Sequence, residues 1–206
     1  MSTRDRILDG AAKVIRERGV ANATTKQIAR AAQFSEATLY KIFDDKIDIF
    51  LAVLNERLPR FSPVQEGPTA RVGRSTVQRN LATFAAEALL FYAEVFPIGA
   101  SLFSDPDLLA RYREALAARG TGPHTVSDAM AEYLRAEQRG GRIAPDADPD
   151  ATAMLLVGGC YHRAFLLTFA GQTISPVMAR RYGAKLVAAL MPALLAHSRA
   201  REAVAQ

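Results

Sequence analysis

Apolar positions along the 206-residue chain recur at spacings of three and four, with no strand-like alternation, internal repeat or low-complexity tract. The pattern predicts an all-helical protein. Ile7, Leu8, Ala11, Ala12 and Ile15 form the first stripe. Ser2 and Asp5 ahead of it have capping-box spacing, and Gly19 follows as a C-cap. A second, short helix begins after Thr24, with Gln27 three residues on, and turns Ile28, Ala29 and Ala32 to one face. Gln33 and Phe34 connect it to a third. There Ser35 is the cap, and Glu36 stands in the first turn, where negative charge suits the helix dipole. Leu39 and Phe43 point inward together, so Thr38 and Tyr40 point out beside Lys41. Asp44 or Asp45 caps a fourth helix with the stripe Ile47, Phe50, Leu51, Leu54 and Leu58, which Pro59 stops.

Residues 59–75 carry three prolines and two glycines and read as a linker. Beyond it the pattern stays helical. Residues 76–96 are apolar over a wide arc, including Leu81, Phe84, Ala88, Leu89 and Tyr92, and Pro97 and Gly99 should end that helix. A short helical piece is expected at 100–103, then a helix from Pro106 to Ala118, capped by Asp105. Pro123 opens another, with Val126, Met130 and Leu134 on one face, closed by Gly140 and Gly141. The last two helices are the most apolar. Asp148 and Pro149 open the first, to about Ala170; Ser175 and Pro176 open the second, which contains Leu186, Leu190 and Leu194 and should bend at Pro192.

Composition narrows the class. Net charge is +5, and residues 1–60 hold 11 Lys and Arg against 8 Asp and Glu, so the excess is denser at the amino end. This balance permits an acidic partner. The lone Cys160 fits a reducing cytoplasm, and the polar start has no apolar signal core. The most apolar run, 151–170, is interrupted by His162 and Arg163, which suits a buried helix better than a membrane span, and no membrane partner is expected.

Two short helices with a small shared core, the second presenting polar and aromatic side chains, describe a helix-turn-helix, whose second helix enters the DNA major groove. An ordinary helical hairpin is the plainer alternative. The string Thr24-Thr25-x-x-Ile28-Ala29, then Phe34-Ser35-x-x-Thr38-Leu39-Tyr40-x-x-Phe43-x-x-Lys46, resembles the signature of the TetR (tetracycline-repressor) family, over about residues 4–58. One departure is the turn, where the family usually has Gly followed by Val or Ile and this chain has Gln33 and Phe34. A left-handed position is thereby left without Gly.

The resemblance implies a three-helix DNA-binding head at residues 1–58. A fourth helix joins it to a helical-bundle ligand-binding and dimerisation domain at 75–198. It implies a homodimeric transcriptional regulator, a repressor released from an inverted-repeat operator by a small-molecule effector, with no cofactor. Thr25, Lys26, Ser35, Glu36, Ala37, Thr38, Tyr40 and Lys46 match positions the family uses on DNA. Hydroxyls, helix-start amides and the Lys46 cation suit phosphates; Thr38 and Ala37 suit a thymine methyl, and Glu36 can accept from cytosine N4.

The body is less legible. Most of its aromatics read as plain core, with Tyr92, Tyr112, Tyr161 and His162 as candidate polar anchors for a ligand. Leu186, Leu190 and Leu194 on the last helix are candidates for a dimer interface. Cys160 and His162 are two apart and diverge on a helix, and His124, His162 and His197 form no ligand motif, so neither metal nor catalytic chemistry is expected. The glycines after Arg119 and Arg139 follow helices and read as C-caps rather than phosphate loops. The alternative function is a helical small-molecule- or lipid-binding protein, or an enzyme, with an incidental helix-turn-helix.

Overall fold

The computed structural model describes residues 1–57 and 69–195, so Leu58, Pro59 and His197 lie outside the described residues. All regular structure among them is helical: α1 (Thr3–Arg18), α2 (Thr25–Ala32), α3 (Glu36–Leu39), α4 (Lys46–Glu56), α5 (Val77–Leu102), α6 (Pro106–Ala117), α7 (Thr125–Arg139), α8 (Pro149–Phe169) and α9 (Pro176–Leu195). The chain forms two compact units that do not follow sequence order: Met1–Pro59 with Glu94–Gly122, and Arg60–Ala93 with Pro123–Gln206.

The first unit is built on local caps. Ser2 and Thr24 form complete capping boxes with Asp5 and Gln27, and Asp45 is the side chain that caps α4. The stripes close over a core that includes Ile7, Leu8, Ile15, Ile28, Leu39 and Phe50, joined by Ile98, Leu102 and Leu108 from α5 and α6. Sequence alone ends α5 at Pro97, but the helix runs on to Leu102 with Pro97 inside it. The expected short piece at 100–103 is therefore largely the end of α5. Burial of Ile98 and Leu102 offsets the bond that proline removes. Ser101 Oγ also accepts the Val20 N–H at 3.1 Å and donates to the Ile98 carbonyl at 2.7 Å.

Carboxylates rim this unit. Arg57 binds Asp5 at 2.8 Å and Asp9 at 2.7 Å, Arg4 binds Glu56 at 2.6 Å, and Arg111 on α6 binds Asp45 at 2.5 Å and Asp48 at 2.9 Å. The Ser2 hydroxyl and Arg57 hold the Asp5 carboxyl down at about 2. Arg4 lowers Glu56; burial pushes Asp45 up, but the Arg111 bond and the Asp48 amide bring it below its ordinary value. Groups depressed in the folded state contribute stability above their unfolded pKa of about 4 and lose it as pH falls. The first unit is therefore expected to melt at progressively lower temperature between about pH 4 and pH 2, and Asp5→Asn should flatten that dependence. Melts read by circular dichroism across this range check it; an identical slope in Asp5→Asn would contradict it.

The second unit packs α5, α7, α8 and α9 around Leu81, Leu89, Leu134, Leu156 and Leu194. Asp148 caps α8, with Pro149 at its first position. Pro123 lies in the turn before α7, which starts at Thr125. Gly183 lets α9 approach α5, since a Cβ there would stand 2.8 Å from the Ala82 carbonyl oxygen. Gly159 is filled by Leu186 of α9 in the same way, 3.0 Å from where a Cβ would be. Helices α5 and α8 are long and apolar enough to cross a membrane, with mean hydropathy 1.5 and 1.2, but each gives one face to a core.

The candidate dimer residues fall differently from one another. Leu186 and Leu190 are half-buried against the second unit's own core, and Leu194 is wholly inside it. Leu194 therefore has no exposed surface of its own, whereas Leu186 and Leu190 keep part of theirs. On a helix apolar around much of its circumference, periodicity cannot say which apolar positions point inward.

Candidate nucleic-acid interface

The helix-turn-helix is assembled from α2 and α3. Gln33 takes the left-handed conformation, φ 61° and ψ 42°, without being glycine. Its N–H still closes α2 onto Ala29 and Arg30, and Phe34 behind it packs on the core under the Arg6 guanidinium, 4.6 Å from the ring centroid. Ser35 Oγ accepts the Thr38 N–H at 3.2 Å and lies 3.0 Å from Thr38 Oγ1, so both hydroxyls are fixed to the start of α3. Helix α3 is one turn long, extended by the bonds of Ile42 and Phe43 N–H to the Leu39 carbonyl.

A chain of side-chain bonds links the two helices. Thr25 Oγ1 donates to Glu36 Oε2 at 2.8 Å and accepts from the Tyr40 hydroxyl at 3.4 Å. Three of the eight residues expected on DNA thus form one connected group. Lys26, Ala37 and Tyr40 are exposed, while Thr25, Glu36 and Thr38 are half-buried. Lys46 opens α4 with its ammonium 5.0 Å from the Phe50 ring centroid. Leu39, between these positions, is fully buried and anchors α3. The resulting surface carries hydroxyls and cations suited to phosphate oxygens around a short helix suited to a groove.

The candidate ligand anchors are divided between the two units. Tyr92 is half-buried in the second unit, edge-on to Phe91 and to Tyr161 at 5.3 and 5.4 Å between centroids, and burial pushes its phenol pKa well up. Tyr161 and His162 are exposed on α8. Tyr112 packs instead against the core of the first unit, where burial raises its pKa. An open hollow in the second unit is lined by Thr76, Gln78, Arg79, Ala82 and Ala184 and contains none of the four. Cys160 is buried, its thiol pushed up to about 12, and its Sγ lies 3.4 Å from the Ala85 carbonyl oxygen. Arg111 escaped sequence reasoning, because its partners lie 66 and 63 residues away.

A helix-turn-helix with this hydroxyl and lysine surface defines a DNA-binding protein. Residues 7–53 match the family model of the bacterial regulatory proteins, tetR family, so the helix-turn-helix head is of that family's DNA-binding type. Solved structures extend the likeness of fold over nearly the whole chain. A candidate TetR-family transcriptional regulator of Mesorhizobium loti superposes with a TM-score of 0.74 at 18% identity, over 92% of this chain and 95% of its own. FadR of Bacillus subtilis, solved with stearoyl-CoA, gives 0.66 at 18% identity over 89% and 96%. SmeT, repressor of the Stenotrophomonas maltophilia multidrug efflux pump SmeDEF, gives 0.66 at 19% over 96% and 93%. No curated protein matches the chain by sequence.

Proposed function

We propose that the chain is a cytoplasmic, homodimeric repressor whose two heads read an inverted repeat and which a small-molecule effector releases. The observation that carries the DNA reading is the assembled surface of Thr25, Glu36, Tyr40, the Ser35–Thr38 pair and Lys46 on a buried Leu39 anchor. Two observations support pairing. A one-turn recognition helix reaches few base pairs, so a second head is needed for a full site. Helix α8 also buries Leu156, Cys160 and Leu167 on one side while leaving Met154, Leu155, Tyr161, Phe165, Leu166 and Phe169 exposed on the other. Such a face calls for an apolar partner, and an isologous pairing of α8 and α9 supplies one.

Release follows if the effector prefers one shape of the body and shifts the population toward it. Helix α5 has residues in both compact units and is a continuous route along the chain for such a change. Tyr92, half-buried among aromatic rings, is the best placed of the four candidate anchors. The stearoyl-CoA bound to FadR favours a largely apolar effector.

Salt tests the DNA reading. Affinity for the operator should fall steeply with ionic strength, and Lys46→Ala should reduce the slope by about one unit, as for one lost phosphate contact. Fluorescence anisotropy at several salt concentrations measures it. Affinity indifferent to salt would refute the interface.

A further inference from the structure

We infer that Thr25 is a positioning residue for sequence reading: its hydroxyl fixes the Glu36 carboxylate so that the free oxygen selects a base bearing an amino group in the major groove. The inference rests on the DNA-binding reading above and concerns the same surface. Glu36 is the first residue of α3, and a carboxylate among phosphates is repelled by every one of them. The helix dipole favours a carboxylate in this first turn, but affinity for phosphates gives no reason for it, and Ser35 already caps the helix. Its Oε2 is held by Thr25 Oγ1 at 2.8 Å, and among the described residues Oε1 has no hydrogen-bond partner.

The chemistry of the relay sets the direction. The Thr25 hydroxyl has one proton and gives it to Glu36, while its lone pair takes the Tyr40 hydroxyl proton at 3.4 Å. Bonds in such a chain polarise one another. Thr25 therefore has no proton for a phosphate while the chain is intact, although its place at the start of α2 suggests a phosphate contact. The free Glu36 oxygen is an acceptor only. In the major groove it suits cytosine N4 or adenine N6 and opposes the acceptors of guanine and the thymine O4. Repulsion from phosphates then becomes part of selectivity, because only a site offering the amino group offsets it.

Selection from a random duplex pool by the full chain and by three variants tests this. The unmutated chain should prefer C or A at one position of each half-site. Glu36→Gln, whose amide both donates and accepts, should reduce that preference by on the order of tenfold while binding all sites more tightly. Thr25→Val should blur the same position and no other, and Thr25→Ser, which keeps the hydroxyl, should restore it. Unchanged preference with uniformly weaker binding by Thr25→Val would make Thr25 a phosphate contact or a plain brace and overturn the inference. So would an unchanged motif in Glu36→Gln. If the unmutated chain selects no sequence at all, the DNA-binding reading fails first and this one with it.

Discussion

Leu155→Arg and Leu194→Arg are expected to fail in opposite ways. Leu155 is 62% exposed on the outer face of α8, and Leu194 is 0% exposed in the core of the second unit. An arginine at 155 costs the monomer little but sets like charges against each other across an isologous interface. The product should be a folded monomer with helical content intact and operator binding lost. An arginine at 194 forces an uncompensated charge into a packed core, on the scale of about 3–5 kcal/mol, comparable to a whole domain's stability. That variant should lose helical signal and aggregate. Sedimentation with circular dichroism separates the two outcomes. A folded dimer in Leu155→Arg would remove the α8 face from the interface, and a folded Leu194→Arg would show the core to be wrongly placed.

The second large effect is expected at Gly10. A Cβ on this residue would stand 2.8 Å from the Ala32 amide nitrogen and 3.0 Å from Ala32 Cβ. The nearest atom is backbone, so relief requires α1 and α2 to separate rather than a side chain to turn. Gly10→Ala gains helix propensity of about 1 kcal/mol, but overpacking of about 1–3 kcal/mol outweighs it, and Gly10→Val adds further atoms. The variant should melt earlier and bind DNA more weakly, because α2 carries Thr25 and sets the position of α3. Thermal denaturation with an operator-binding curve measures both. Undiminished stability would contradict the close approach of α1 and α2.

These two sites show what the sequence could and could not disclose. Caps are local, so Ser2, Thr24, Ser35, Asp105 and Asp148 could be read directly and accept amides of their helices, and of the pair Asp44 and Asp45 it is Asp45 that caps. The left-handed position between α2 and α3 came instead from the resemblance, whose family usually has Gly at that turn, and Gln33 adopts it. Pro97 misled, because the contacts holding α5 together beyond it come from Val20 and the first unit's core, distant in sequence. Gly10 gave no signal in a helical stripe, since its role depends on a neighbour 22 positions on. The residues of the DNA surface could be named from their pattern, but the bond between Thr25 and Glu36 could not, because it spans two helices. The apolar circumference of α8 and α9 hid which of their leucines face inward.

The central claim is that this chain is a paired reader of specific DNA. The most direct measurement is the sequence enriched from a random duplex pool by the unmutated full-length chain, with the number of chains bound per enriched duplex counted by sedimentation. An inverted repeat with half-site centres about one helical turn or a multiple apart, holding chains in pairs, is the predicted result. No enrichment over the starting pool, or a single half-site holding one chain, would contradict it.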